Sequence, residues 1–465
     1  MWEYYNESKH RGAKRISTGF HHALPGARAG KGFFAEENAR HAFSGSAAEQ
    51  VRDCHAVKQC VALCYMQYDI ILHFVRFSSR FFYYLCKFPW EPHRYKEGYR
   101  ERKVLVGMKQ YNVGVIGATG MVGQRFITLL ENHPWFNLVA LAASARSAGK
   151  TYEEAVGSRW LMKTPMPESV KKMVVLDAAN VEEVAAKVDF VFCAVNMKKD
   201  EIKALEEAYA KAECPVVSNN SAHRFTPDVP MVVPEINADH IDIIPAQRKR
   251  LGTKRGFVAV KSNCSLQSYV PALHPLRKYG ISDVLVCTYQ AISGAGKTFE
   301  TFPDILDNVI PYIGGEEEKS EQEPLKLWGR IEGDKIVSAE SPRFTAQCLR
   351  VPVSDGHMGA VFVRFENKPS KEEILQAWKE FHGPAQDLEL PSAPKQFLHY
   401  FEENDRPQPK LDRMLENGMA VSIGRLREDN QYDYKFVCLS HNTLRGAAGG
   451  AVLLAELLAA KGYFD

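Results

Sequence analysis

Asn112-Val113-Gly114-Val115-Ile116-Gly117-Ala118-Thr119-Gly120-Met121-Val122-Gly123 is an apolar run that passes into spaced glycines. The β-branched residues of 112–116 predict a buried strand. The glycine-rich turn 117–123 follows it, and an apolar helical pattern runs on through 124–131 to a stop at Asn132-His133-Pro134. Residues 138–143 predict a second strand. Strand, glycine turn, helix and strand in this order form the dinucleotide-binding βαβ unit. Its glycines let the backbone approach a pyrophosphate, and the helix N-terminus faces the phosphate charge. Gly117, Thr119, Gly120, Met121, Val122 and Gly123 are therefore candidate cofactor contacts.

The end of the second strand selects the dinucleotide. NAD sites place an acidic residue there to bond the ribose hydroxyls. This chain has Ala142-Ala143-Ser144-Ala145-Arg146-Ser147 and no acid. Ser144, Arg146 and Ser147 suit a 2′-phosphate, so NADP is expected; the alternative is that Arg146 is a solvated loop charge. The α/β pattern continues with a buried strand at 188–195, a helix at 199–212 and a strand at 215–218. The last ends in Asn219-Asn220-Ser221-Ala222-His223-Arg224, at the carboxyl edge where open sheets bind ligands. Arg224 is a candidate anion clamp there, with a surface arginine as the alternative.

A second decisive stretch is Lys261-Ser262-Asn263-Cys264-Ser265-Leu266-Gln267-Ser268. The apolar run 256–260 leads into it as a strand, and a helical pattern over 266–279 leads out. Cys264 is thus expected near a helix N-terminus, whose positive end stabilises a thiolate and lowers the thiol pKa. Asn263 suits the cap of that helix. A buried structural cysteine is the alternative.

The chain has 465 residues, a net charge of +3 and ten cysteines. That length suggests two or three domains. The small charge makes no case for nucleic acid or a membrane surface as partner. The cysteines show neither zinc-type pairing nor a disulfide framework, which fits a reduced, cytoplasmic protein.

Residues 1–107 read differently from the rest. They are rich in His, Arg, Phe and Tyr, carry Cys54, Cys60, Cys64 and Cys86, and lack a sustained helical or strand period. Their most apolar portion, 61–88, is interrupted by Asp69, His73, Arg76 and Arg80, so it lacks an uninterrupted membrane span. No signal peptide or mitochondrial presequence is recognisable, and the Cys and His spacing fits no familiar metal site. The expectation is an atypical extension, disordered or mis-assigned, with Met108 as the natural start.

Beyond Cys264, a strand over 283–292 runs into Ser293-Gly294-Ala295-Gly296-Lys297. Pro311-Tyr312-Ile313-Gly314-Gly315-Glu316-Glu317-Glu318-Lys319 follows, and then Gln347-Cys348-Leu349-Arg350-Val351-Pro352-Val353-Ser354-Asp355-Gly356-His357 before the alternating strand 360–365. Each fragment alone is ambiguous, since a Glu-rich run is usually a solvated face and a lone His beside a strand is more often structural.

Together, in this order and with the closing Asn442-Thr443-Leu444-Arg445-Gly446-Ala447-Ala448-Gly449-Gly450, they resemble aspartate-β-semialdehyde dehydrogenase of the archaeal and fungal branch. The resemblance covers Met108 to the C-terminus. It implies a Rossmann domain over 108–262 completed by 444–465, and an α+β catalytic and dimerisation domain of the glyceraldehyde-3-phosphate dehydrogenase-like type over 263–443. It implies Cys264 as acyl-forming nucleophile, His357 as general acid/base and Gln290 as the side chain orienting the thioester. Arg350 would hold the substrate carboxylate, Glu316 or one of its neighbours Glu317 and Glu318 the substrate amine, and Lys319 and Arg224 the phosphate. Ser293, Gly294 and Asn442 would meet the cofactor, NADP. The implied reaction interconverts β-aspartyl phosphate and aspartate β-semialdehyde, with phosphate as co-substrate, in lysine, methionine and threonine biosynthesis. No metal is implied, and a homodimer or homotetramer is.

Two enzymes on the same scaffold compete. A malonyl-CoA reductase would use the same cysteine and NADPH. N-acetyl-glutamyl-phosphate reductase usually sets its cysteine in Gly-Cys-Tyr-Pro, which is absent here. A non-catalytic NADP-binding protein is the rival from another class, and the joint presence of Cys264, Gln290, Arg350 and His357 argues against it.

Overall fold

The computed structural model describes residues 110–465. The expectations for residues 1–107 and for Met108 lie outside the described residues. Strands β1 (Tyr111–Ile116), β2 (Phe136–Ala143), β3 (Leu176–Asp177), β4 (Phe190–Cys193), β5 (Val216–Ser218), β6 (Met231–Val232) and β7 (Val258–Lys261) form a wholly parallel sheet in the order β3-β2-β1-β4-β5-β7-β6. The chain steps outward from β1 to β3, then returns to place β4 on the other side of β1. That reversal opens a crevice beyond the carboxyl ends of β1 and β4.

Strand alternation divides the side chains of this sheet between two cores. Phe190 and Phe192 of β4, Val217 of β5 and Ala259 of β7 point to one; Val191, Cys193, Val216, Val258 and Val260 point to the other. The α-helices of eight residues or more are α1 (Met121–Leu130), α2 (Lys199–Lys211), α3 (Ile244–Leu251), α4 (Leu266–Leu273), α5 (Glu316–Leu327), α6 (Lys371–Glu380) and α7 (Gly449–Ala460). None among the described residues is long and apolar enough to cross a membrane.

The second sheet is mixed. It is built from β8 (Ile281–Gln290), β11 (Arg343–Arg350), β12 (His357–Phe365), β13 (Leu398–Phe401), β14 (Val421–Glu428) and β15 (Tyr434–Ser440), in the order β11-β8-β12-β15-β14-β13. A small ribbon of β9 (Arg330–Glu332) and β10 (Lys335–Val337) stands apart from it. The core that takes Val258 and Val260 continues through Leu266, Val270 and Leu273 of α4 into Val284, Val286, Val361 and Val363. One apolar interior therefore joins the two sheets, with α4 between them.

Several boundaries differ from the sequence expectation for physical reasons. Helix α1 begins at Met121, so the last three residues of the glycine turn are already its first turn. The helix expected over 266–279 is α-helical only to Leu273 and continues as a 3₁₀ turn, His274–Tyr279. Pro275 lacks the N–H that an α-helix needs there. His357 is the first residue of β12 rather than a loop residue before it.

In sequence, Val452, Leu453, Leu454, Leu457 and Leu458 predict one buried side for helix α7. It is buried all round, from Gly449 to Ala459. It packs on α1, β5 and β7, and its apolar cluster also takes in Ala385, Leu390 and Met419 from the segments outside it. The charged exception, Glu456, bonds His133 at 2.9 Å and the Ser392 N–H. Leu457→Ala is expected to lower the unfolding free energy by about 2–5 kcal/mol, because a fully enclosed site relaxes poorly around a cavity. Urea unfolding measures this, and a loss under about 1 kcal/mol would mean that the core around α7 collapses freely.

Candidate active site

The glycine turn is shaped by close approach. Gly117 has φ of +85°, and a Cβ on it would lie 2.4 Å from the Ala194 carbonyl oxygen. A Cβ on Gly123 would lie 2.3 Å from the Gly117 oxygen, so the first turn of α1 packs directly on the loop. A Cβ on Gly120 would meet nothing nearer than 3.5 Å. The helix has no side-chain cap, which leaves its first-turn N–H groups to a ligand. Beside it is a cavity of ≈ 530 Å³ lined by Met121 and Arg125 of α1 and by Ser293, Lys297 and Arg413 of the other half. The buried Arg125 Nε has no hydrogen-bond partner. A glycine cradle, an uncapped helix and an unpaired guanidinium N–H fit a dinucleotide. At the end of β2, Ser144 and Arg146 are exposed, while Ser147 is buried and closes the turn through its N–H on the Ser144 carbonyl at 2.8 Å.

Four strand ends of the mixed sheet converge on one edge. β8 and β11 are parallel and in register, so their last residues, Gln290 and Arg350, lie side by side. β12 is antiparallel to β8 and begins at the same edge with His357. β15 is antiparallel to β12, pairs Ser440 with His357 and delivers Asn442 just beyond. Cys264 comes from the parallel sheet, three residues after the end of β7. Its Sγ lies 3.5 Å from His357 Nε2.

The His357 ring has an assigned tautomer. Its Nδ1 accepts the Ala291 N–H at 3.0 Å, so the proton of the neutral ring is on Nε2, facing the sulfur. Burial, then Arg350, His441 and Lys261, hold its pKa well below the usual range. The site thus presents a neutral imidazole N–H to the thiol.

Glu316 opens α5 and is 8% exposed. Both its oxygens accept from Asn263 Nδ2 at 3.0 Å, one from Lys319 Nζ at 2.7 Å and one from Gln290 Nε2 at 3.3 Å. Burial raises its carboxyl, and the Lys319 ammonium with these hydrogen bonds outweighs that, so it stands below the ordinary value. Glu317 turns away to Gln347 and the Cys348 N–H, and Glu318 is exposed. Arg350 donates to the Ala291 carbonyl at 2.7 Å.

Two expectations at Cys264 are corrected. The thiol is not lowered by the helix end. It keeps some surface exposure, but burial of the sulfur and then Glu316 push it up, against Lys261, Arg224 and Arg350. Asn263 is not the N-cap of α4; Ser265 is, without a side-chain cap bond. Asn263 Oδ1 instead accepts from Ser265 N at 2.7 Å and Ser265 Oγ at 2.8 Å, because its amide is turned to Glu316.

The other expected residues fall into place differently. Arg224 is buried, with Nη1 on Glu323 at 2.9 Å and Nε on the Lys261 carbonyl at 3.1 Å. Asn442 braces the site: its Oδ1 accepts the Gly356 N–H and its Nδ2 donates to Ser293 Oγ, both at 2.8 Å. Gly294, expected at the cofactor, lies against Arg350 and His357. Sequence reading missed Glu323 and Lys261. Glu323 follows Glu316 by seven residues, on the same helical face, and Lys261 is a charge closing the apolar strand Val258-Ala259-Val260.

A profile described as "Semialdehyde dehydrogenase, NAD binding domain" matches residues 112–244, and one described as "Semialdehyde dehydrogenase, dimerisation domain" matches residues 273–445. An aspartate-semialdehyde dehydrogenase of Aspergillus fumigatus is 46% identical over 359 residues, covering 75% of this chain and 97% of that one. One of Archaeoglobus fulgidus is 44% identical over 351 residues, covering 75% and 98%. The crystal structure of the Candida albicans enzyme with NADP superimposes with a TM-score of 0.69 at 41% identity, over 76% of this chain and 100% of that one.

A Cβ on Gly294 would lie 3.0 Å from Arg350 Nη1 and 3.0 Å from His357 Cε1 and Nε2. Gly294→Ala is expected to lower turnover by about tenfold or more, since sub-ångström misplacement of reacting groups is costly, with the thermal midpoint nearly unchanged. Full activity would mean that His357 and Arg350 yield without penalty.

Proposed function

The chain belongs to the aspartate-semialdehyde dehydrogenase family, and on that premise we propose that Cys264 and His357 carry its NADP-dependent interconversion of β-aspartyl phosphate and aspartate β-semialdehyde. The observation that carries the assignment of residues is the 3.5 Å approach of Cys264 Sγ to His357 Nε2. In the biosynthetic direction the Cys264 thiol gives its proton to the departing phosphate as the sulfur attacks the acyl carbon, and a thioester forms on Cys264. Covalent capture divides one hard step into two. NADPH, when bound, supplies the hydride that reduces this acyl group. His357 Nε2–H gives its proton to the oxyanion of the tetrahedral hemithioacetal and takes it back as the thiolate departs and the aldehyde forms.

The surrounding groups hold the substrate. Arg350 suits the α-carboxylate, by paired N–H donation. Glu316, ionised by its neighbours, suits the substrate ammonium, while Lys319 beside it offsets phosphate charge. Arg224 has Nη1 and Nε engaged, and its Nη2, which gives one N–H to the Asn219 carbonyl at 3.5 Å, offers phosphate the other. Gln290, 1% exposed, lies against Glu316 and orients the acyl group. At the cofactor, Gly117, Thr119, Gly120, Met121, Val122 and Gly123 receive the pyrophosphate. Ser144 and Arg146 receive the 2′-phosphate, and Asn442 positions Ser293 near the nicotinamide end.

A homodimer is the proposed assembly. Leu285, Cys287 and Tyr289 of β8 stand opposite Phe362, Ala360 and Met358 of β12 on one sheet face that is only partly covered. A second copy laid on this apolar stripe would bury it. The proposed location is the cytoplasm, where the six described cysteines, all free thiols, stay reduced.

Cys264→Ser is expected to reduce phosphate-dependent NADP reduction by aspartate semialdehyde at least about a thousandfold, with the near-ultraviolet circular dichroism unchanged. Near-normal turnover removes Cys264 from the mechanism. Arg146→Ala should raise KM for NADP about tenfold, roughly the worth of one charged phosphate contact, and leave KM for NAD unchanged. Equal effects on both would assign Arg146 to the solvated loop.

A further inference from the structure

Lys261 closes β7 and is 1% exposed. Lysine is seldom buried so completely unless its charge is paired or used. Its Nζ donates to two backbone carbonyls, those of Ser262 and Gly446. They flank the nucleophile from distant parts of the chain. Ser262 stands two residues before Cys264. Gly446 lies in the turn ahead of α7, where a Cβ would fall 2.9 Å from Cys264 Cβ. The Lys261 carbonyl in turn accepts from Arg224 Nε at 3.1 Å. The end of β7 is thus tied through both its backbone and its side chain.

The charges around the pair are few. Lys261 faces Cys264 and Glu323, which favour its ammonium, and Arg224 and Arg445, which oppose it. Cys264 faces Glu316, Lys261, Arg224 and Arg350, with His357 at 3.5 Å. The arginines keep their charge at any working pH. A second proton on His357 would have to go on Nδ1, where the Ala291 N–H already points.

We propose that Lys261 is a positioning residue for Cys264: its ammonium pins the Ser262 and Gly446 carbonyls around the thiol and sets beside it a positive charge whose protonation is coupled to ionisation of the sulfur. Burial first, then Arg224, bring the lysine down to about 7, so the charge is present below neutrality and lost as pH rises through that value. The thiol loses this favourable charge over the range in which it would ionise. Coupled groups of this kind titrate over a broad range rather than in one step.

The inference rests on Cys264 as the nucleophile, and its test reads the sulfur rather than turnover. The rate of Cys264 alkylation by iodoacetamide, a neutral probe, is followed by peptide mass spectrometry across pH for the full-length wild type, Lys261→Arg and Lys261→Met. The wild type should give a broad profile. Lys261→Arg, whose charge does not titrate, should give one sharper step at lower pH. Lys261→Met should give a step about one pH unit higher or more, hence about tenfold slower alkylation at pH 7. Superimposable profiles in all three overturn the proposal. Should Lys261→Met fail to fold, the Arg variant decides alone, and a profile identical to wild type overturns it. Retained turnover in Cys264→Ser would remove the catalytic premise while these profiles still report whether lysine and thiol are coupled.

Discussion

A single buried carboxylate, Glu323, holds the two halves of the site in register. Fully enclosed on α5, it accepts the Asn263 N–H at 2.7 Å and pairs with Arg224 Nη1 at 2.9 Å. Arg224 also reaches the Lys261 carbonyl. A helix beside the mixed sheet therefore grips the backbone immediately before Cys264 and, through one guanidinium, the strand that delivers it. A second buried pair repeats the device. Arg445 bonds Glu235 at 2.6 Å through both Nη atoms, reaches Gln267 of α4 with Nε and stacks over Phe397 at 4.4 Å. Burying such charges costs desolvation, and the return is geometric, because removing either partner would leave an uncompensated charge in the interior.

With the backbone held this way, the chemistry follows from sheet directions. Parallel β8 and β11 end together, and antiparallel β12 and β15 begin and end at that same edge. Gln290, Arg350, His357 and Asn442 are separated by up to 152 residues in the chain (442 − 290), yet they share one edge because strand polarity leaves them no other place. Cys264 arrives from the opposite side, at the carboxyl edge of the parallel sheet. A crevice between two sheet edges is what a reaction needs when a hydride donor and an acyl group must meet over one sulfur.

The electrostatics are those of a site at rest. The imidazole is neutral with its proton toward the thiol, the thiol is held up by burial and Glu316, and Glu316, held below the ordinary carboxyl value, is engaged by Lys319, Asn263 and Gln290. No thiolate–imidazolium pair is stored. The balance at the sulfur is set by Glu316 against Lys261, Arg224 and Arg350, so a bound carboxylate or phosphate that neutralises part of the cationic set also changes it.

Local pattern alone determined the βαβ unit at 112–143, because a short apolar run and the conformational demands of Gly117 and Gly123 are written in neighbouring residues. It also exposed the motifs around Cys264, Gln290, Glu316, Arg350 and His357, whose order carried the family resemblance. It misjudged α7, whose all-round burial depends on segments 30 residues and more away, and it reversed the direction of the Cys264 thiol, because a helix terminus is visible in sequence whereas desolvation and Glu316 are not. The choice among three adjacent glutamates, the bracing role of Asn442, and the parts played by Glu323 and Lys261 were decided only by tertiary structure. A hydrogen bond or an ion pair acts over a few ångströms of space, and folding, not chain position, determines which groups come that close.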